Sequence, residues 1–223
     1  MISIHPVEGI GEVGAGDDIA ALIARHAEVE DDDVVVVAHK IVSKSEGRIL
    51  PMTSKRDAAL AESAAVLRRR GDMVISVTRH GFVCANAGVD ASNVPGDNVV
   101  LLPLDPDLSA RRIRAGLLHL TQRDVAVLIS DTFGRPWRNG LTNVAIGVAA
   151  MEPFTDHRGT TDMQGRTLEA TTIAIADELA GAAEMVMGKS LGVCAAVVRG
   201  APITRGRASA TALVRPPGAD LFR

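Results

Sequence analysis

Two aspartates at the ends of apolar runs are the residues of this chain best placed to do chemistry. Asp90 ends the run in HGFVCANAGVDASN (80–93), and Asp131 ends the one in VAVLISDTFGRPWRNG (125–140). In both, small polar residues and then glycine follow. Apolar runs of this length bounded by turn residues read as buried strands. A carboxylate at the exit of such a strand lies at the mouth of the crevice where open α/β sheets bind ligands. Two hard oxygen donors suit Mg²⁺, which takes one or two carboxylates together with substrate phosphates. The hydroxyl of Thr132 adds an oxygen beside Asp131. This constellation points to phosphoryl chemistry. An aspartate after a strand is also a common turn or helix-capping residue, and for Asp90 taken alone that reading stays open.

Positive charge for such a site is available from Lys44, Arg135 and Arg138, although an ordinary surface ion pair is an equal reading for either arginine. Trp137, between those two arginines, offers a flat surface on which a ring could stack. The aromatic residues are few: Phe82, Phe133, Trp137, Phe154 and Phe222, with no tyrosine. The core is therefore expected to be aliphatic. No nucleophile stands out, because Ser43, Ser92 and Ser130 show no His-Asp arrangement in the sequence.

The elements that must position these residues follow from periodicity and turn chemistry. Strands are expected over 2–7, 34–38, 73–78, 81–85, 98–102, 125–130 and 193–198. Helices are expected from Asp17 or Asp18 through Ala27, over 57–70, over 108–120 behind a turn at Asp105-Pro106-Asp107, and over 172–187. The segment 40–48 reads as short and polar, 143–150 as an apolar run of small residues, and 156–166 as a loop. Arg68-Arg69-Arg70 reads as the solvated end of a helix. Strands and helices alternate unevenly with hairpins between them, which predicts an α+β fold with a mixed sheet and flanking helices.

Two nucleotide motifs are imitated without being satisfied. Gly9-Ile10-Gly11-Glu12-Val13-Gly14 has the dinucleotide spacing, yet the helix starts only after the last glycine and the leading strand is polar. A loop whose backbone amides approach a phosphate remains open there. Met187-Gly188-Lys189-Ser190 resembles the end of a P-loop, but Ala183 stands where the pattern needs glycine, and the stretch follows a helix. Gly188 reads instead as a helix terminator, with Lys189 complementing the helix C-terminus.

Composition bounds the rest. The chain has 223 residues, 47% of them hydrophobic and 23% charged, with a formal net charge of −3, as expected for a globular enzyme and not for a nucleic-acid surface. Cys84 and Cys194 lie in apolar runs without metal-ligand spacing and read as buried free thiols. The segment 2–7 is too short for a signal peptide, and no run reaches the roughly 20 apolar residues of a membrane span. A cytoplasmic protein is expected.

The longer motifs resemble the coenzyme F420-0:L-glutamate ligase family, including the amino-terminal ligase half of the actinobacterial two-domain F420 ligase. VSKSEGR (42–48), RHGFVCANAGVDASN (79–93) and DTFGRPWRNG (131–140) carry the resemblance. DHRG (156–159), ADEL (176–179) and VVRG (197–200) extend it over nearly the whole chain. It implies an α+β ligase domain over 1–223, which in two-domain relatives continues into a flavin-dependent reductase-like domain. The implied reaction is GTP-dependent addition of L-glutamate, through γ-linked amides, to coenzyme F420-0 by way of an acyl phosphate. Asp90, Asp131 and Thr132 are then the implied ligands of Mg²⁺ or Mn²⁺, up to two ions, with K⁺ as a further cofactor. Ile10, Gly11, Glu12, Val13, His39, Lys44 and Asn93 are the implied nucleotide contacts. Arg135, Trp137 and Arg138 are assigned to the substrate, and a homodimer is implied. A nucleotide-binding module without catalysis and an acid–amine ligase for another phosphorylated acid are the alternatives. Three positions depart from the family pattern. Gly11 stands where proline is common. Lys189 and Ser190 stand where many members have polar or acidic residues that contact nucleotide and a second metal.

Overall fold

Four consecutive valines open the strand Val34–Ala38, and all four are fully buried because both faces of the central sheet are covered. The computed structural model describes residues 1–51, 54–94 and 96–221, so Phe222 lies outside the described residues. In chain order the first strands and α-helices are β1 (Ser3–Pro6), α1 (Ile19–His26), β2 (Val34–Ala38), α2 (His39–Ser45), β3 (Ile49–Pro51) and α3 (Lys55–Ala61). Next come β4 (Ser63–Arg70), β5 (Met73–Thr78), β6 (Val83–Ala85), β7 (Asn98–Val100) and α4 (Pro106–Thr121). The last are β8 (Ala126–Arg135), β9 (Arg138–Ala149), β10 (Thr155–Asp156), β11 (Thr172–Ile173), α5 (Ile175–Met187) and β12 (Ala195–Arg199).

The main sheet has the order β1-β12-β2-β8-β9. Only β2 and β8 run parallel; every other neighbouring pair is antiparallel, which gives the expected mixed sheet. Alternate side chains divide between two cores, as strand geometry requires. Val35, Val37, Val127, Ile129 and Val197 face α1 and α4. Val34, Val36, Leu128, Ala196 and Val198 face α5. Each of the valine, leucine and isoleucine side chains among them contributes about 1.5–3 kcal/mol by leaving water. Because β12 lies between β1 and β2, the first strand–helix–strand passage does not join adjacent strands as a dinucleotide-binding unit requires, and the dinucleotide reading of the glycine-rich loop fails on topology.

The cap of α1 was legible at Asp17 or Asp18, whereas α4 starts at Pro106, inside the expected turn, with Asp105 as its cap. Asp18 accepts from Ala21 N at 3.1 Å to open α1, and Asp105 accepts from Leu108 N at 2.8 Å to open α4. Other expectations need correction. The helix expected over 57–70 is split: α3 ends at Ala61, and 63–70 form a strand paired with β5. Glu62, at the break, is held by Arg48 at 2.9 Å and Arg79 at 3.2 Å, so sheet pairing and ion pairs outweigh alanine's helix propensity. Arg68, Arg69 and Arg70 therefore end a strand. The segment 40–48 is mostly helix α2, because Ile41 and Val42 anchor it in the core. The run 143–150 belongs to β9 as far as Ala149, and 172–173 to β11 before α5. Of the cysteines, Cys84 is buried while Cys194 is only partly so.

Candidate functional site

The parallel pairing of β2 with β8 ends at Ala38 opposite Ser130. Beyond that point β2 turns into α2, while β8 continues with β9 as a two-stranded ribbon to the Pro136-Trp137 turn. Asp131 is therefore not at a strand end, as the sequence suggested. It stands at the carboxyl edge of the parallel pair, where the backbone beside it is released. Next to it is His39, the first residue of α2: its Nε2 lies 3.2 Å from Asp131 Oδ1, without hydrogen-bond alignment. The Thr132 N–H donates to the same oxygen at 2.6 Å.

The following residue, Lys40, engages the other aspartate. Its ammonium lies 2.7 Å from Asp90 Oδ2 and donates to Ser92 Oγ at 2.6 Å. Asp90 follows a short 3₁₀ turn (Asn86–Gly88), not a strand directly, and is fixed by a two-way backbone bridge to Val100. Its carboxylate accepts from Ser92 N at 2.8 Å and Ser92 Oγ at 2.9 Å. Burial pushes the Asp90 carboxyl up, but the Lys40 and Ser92 hydrogen bonds and the Lys40 charge outweigh it and hold the pKa at about 2. Two consecutive residues of one helical turn thus hold the two aspartates that the sequence singled out. Asn93, beside Ser92, is exposed.

The glycine-rich loop packs along α2. Gly16 N donates to Ser45 O at 2.8 Å, and Ser45 Oγ donates to Asp17 O at 2.6 Å. Ile10 and Val13 are buried in the core, so only their backbone can face a ligand. Gly11 has φ of 73°, a conformation that glycine supplies without strain. Glu12 is exposed and accepts from Lys44 Nζ at 2.5 Å, while the rest of the Lys44 side chain is buried.

On the opposite face of β8, Thr132 donates to Asn143 Oδ1 at 2.6 Å, its cross-strand neighbour. Asn143 Nδ2 donates to Glu184 Oε2 at 2.8 Å. Lys189 closes the group by donating to Thr132 Oγ1 at 2.6 Å and pairing with Glu184 Oε1 at 2.8 Å. The Asp131 and Thr132 side chains consequently do not converge on one point. Strand alternation turns one toward α2 and the other toward α5.

A cavity of about 670 Å³ adjoins the ribbon, lined by Phe82, Phe133, Trp137, Val144, Arg68 and Arg215 among others. Phe82 meets Phe133 edge-on at 6.3 Å. Arg135 and Arg138 are exposed at the ribbon tip. Burial, and secondarily the charge of Asp131, push the Cys84 thiol up to about 12, so it supplies no thiolate at neutral pH. One Ser-His-Asp series does form, which the sequence did not reveal: Ser43 Oγ lies 3.4 Å from His39 Nδ1, on the far side of the ring from Asp131. Ser43 is fully buried, so no substrate reaches it and its role is to orient His39. Among the described residues no three His, Cys, Asp or Glu side chains cluster as a preformed metal site.

Lys40, Asn143 and Glu184 are site residues that the sequence reading missed. Lys40 carried a signal, since it directly precedes the buried Ile41 and Val42 and follows a buried strand. Asn143 and Glu184 are 41 residues apart and carried none.

Comparison with known proteins shows the family of the chain. The sequence model of a family described as F420-0:Gamma-glutamyl ligase matches residues 9–200. A protein named coenzyme F420:L-glutamate ligase from Methanothermobacter thermautotrophicus is 43% identical over 249 residues, covering 100% of this chain and 99% of that one. Proteins of the same name from Methanopyrus kandleri and Methanocaldococcus jannaschii are 41% and 37% identical, over 100% and 92% of this chain and 98% and 90% of their own lengths. The chain belongs to the F420-0:gamma-glutamyl ligase family.

Proposed function

We propose that the protein is a GTP-dependent ligase that adds L-glutamate to coenzyme F420-0 through γ-linked amides, in coenzyme F420 biosynthesis. The observation that carries the reading is the pair of aspartates met by the consecutive residues His39 and Lys40 at the start of α2, where the parallel strand β2 ends. Asp90 is ionised at any working pH, and Asp131 offers a second carboxylate, so the donors fit Mg²⁺ or Mn²⁺ shared with triphosphate oxygens. Such an ion, when bound, neutralises phosphate charge and aligns attacking and leaving oxygens.

The chain's own residues would do the rest. A carboxylate oxygen of the coenzyme attacks the γ-phosphorus of GTP, GDP leaves, and an acyl phosphate results. The glutamate amine attacks the acyl carbon and expels phosphate, giving the amide. Lys44, Lys40 and the backbone of 10–13 would bind the nucleotide. The cavity beside Phe133 and Trp137, with Arg68 and Arg215 on its wall, suits the aromatic deazaflavin and its phosphodiester. The exposed Trp137 and Leu141 of the projecting ribbon are the surface we assign to a homodimer interface.

Mass spectrometry of the deazaflavin after incubation with protein, GTP, L-glutamate and Mg²⁺ or Mn²⁺ tests this. A product heavier by one or more glutamyl residues, with GDP released, supports it. GTP binding without glutamyl addition would favour a binding module or another acid substrate.

A further inference from the structure

We propose that the Lys189 ammonium is the resident cation on the α5 face of the site, so that each chain takes a single divalent ion, on the Asp90–Asp131 side. The proposal rests on the metal-dependent reading above and deepens it.

Three oxygens from three elements converge on Lys189 Nζ: Thr132 Oγ1 at 2.6 Å, Glu184 Oε1 at 2.8 Å and Asn143 Oδ1 at 3.5 Å. A hydroxyl, a carboxylate and an amide carbonyl are the hard donors that divalent cations take. Their orientations are fixed independently of the lysine. Thr132 directs its proton to Asn143 Oδ1, and Asn143 spends its amide protons on Glu184 Oε2. Asn143 is 4% exposed, so the cradle is built into the sheet and is not a chance surface pairing.

The backbone delivers the ammonium to it. Gly188 ends α5 with φ of 58° and donates to Glu184 O at 2.9 Å, which turns Lys189 back over the last helical turn. One ammonium against one carboxylate leaves the cradle neutral, with no need for an ion from solution. Because Asp131 and Thr132 face opposite ways, this charge is separate from any ion on Asp131 and stands on the other side of the same strand.

The test counts Mn²⁺ bound to the purified full chain with GTP present, from the paramagnetic resonance signal of free Mn²⁺ measured against a protein-free GTP control. Wild type is expected to bind one ion and Lys189→Met two. The methionine keeps the stem's packing, and the mostly exposed position lets the variant fold. Glu184→Gln/Lys189→Met should return to one ion, and Asp131→Asn/Lys189→Met should keep only the new one. Two ions in wild type, or no gain in Lys189→Met, would overturn the proposal. No ion in wild type with one in Lys189→Met would support the cradle while removing the Asp90–Asp131 metal reading. No ion in either would remove both.

Discussion

Asp131 and Thr132 are consecutive in β8 yet belong to different halves of the site. The first stands 3.2 Å from His39 on the α2 side, and the second bonds Asn143 and Lys189 on the α5 side. One strand thereby separates the Asp131 carboxylate from a cradle already holding an ammonium. The separation follows from the two-residue side-chain period of a strand, and the predictions below use it.

Asp131→Asn is expected to lower kcat for glutamyl addition by at least about a hundredfold, in line with the roughly 2.7–4 kcal/mol typical of losing one preorganised electrostatic group. The substitution is nearly isosteric and the thermal midpoint should stay close to wild type. Near-normal product formation would take Asp131 out of the mechanism.

Lys44→Met should weaken GTP binding about tenfold to a hundredfold, the scale of a lost charge-assisted hydrogen bond worth about 1.5–3 kcal/mol. Stability should change little, because the buried stem is replaced by methionine and the abandoned Glu12 is exposed. Calorimetric titration with GTP reads the affinity. An unchanged value would reduce Lys44 to a partner of Glu12.

Cys84 makes stability fall in alkali. Its folded pKa is raised from 9.0 to about 12, so its contribution is fully present below pH 9 and is lost as pH rises from 9 toward 12. Urea unfolding at pH 8 and pH 10 should show a larger loss for wild type than for Cys84→Ala, by up to about 1.4 kcal/mol for one unit of pH above 9. Equal losses would show that the thiol titrates equally in both states.

Gly147→Ala should destabilise the fold by about 1–3 kcal/mol, the usual cost of overpacking. A Cβ at this position of β9 would lie 2.5 Å from the backbone carbonyl of Pro106 at the start of α4. Urea denaturation measures the cost. An unshifted midpoint would mean that α4 can move off the strand.

Much of this was legible in the sequence, for local reasons. The Asp18 cap and the hairpin of β5 and β6 depend on short-range backbone chemistry, and the sequence carries that directly. The apolar runs that became β2, β8 and β12 were legible because both faces of the sheet are buried, which leaves no polar alternation to obscure them. The helix expected over 57–70 failed because pairing with β5 and the Glu62 ion pairs are non-local, and propensity yields to them.

The residue types and spacing by themselves singled out Asp131 and Thr132 as candidates, and determined that the fold would be α+β and that Gly188 would end α5. Tertiary structure alone decided which charges meet. His39 and Lys40 each found an aspartate, 92 and 50 residues away in the chain, because α2 starts where the parallel pairing stops. Glu184 and Lys189 reached Thr132 because α5 lies on the sheet face that Asp131 does not see. Ion pairs across such separations depend on topology and strand register, which no short stretch of sequence encodes.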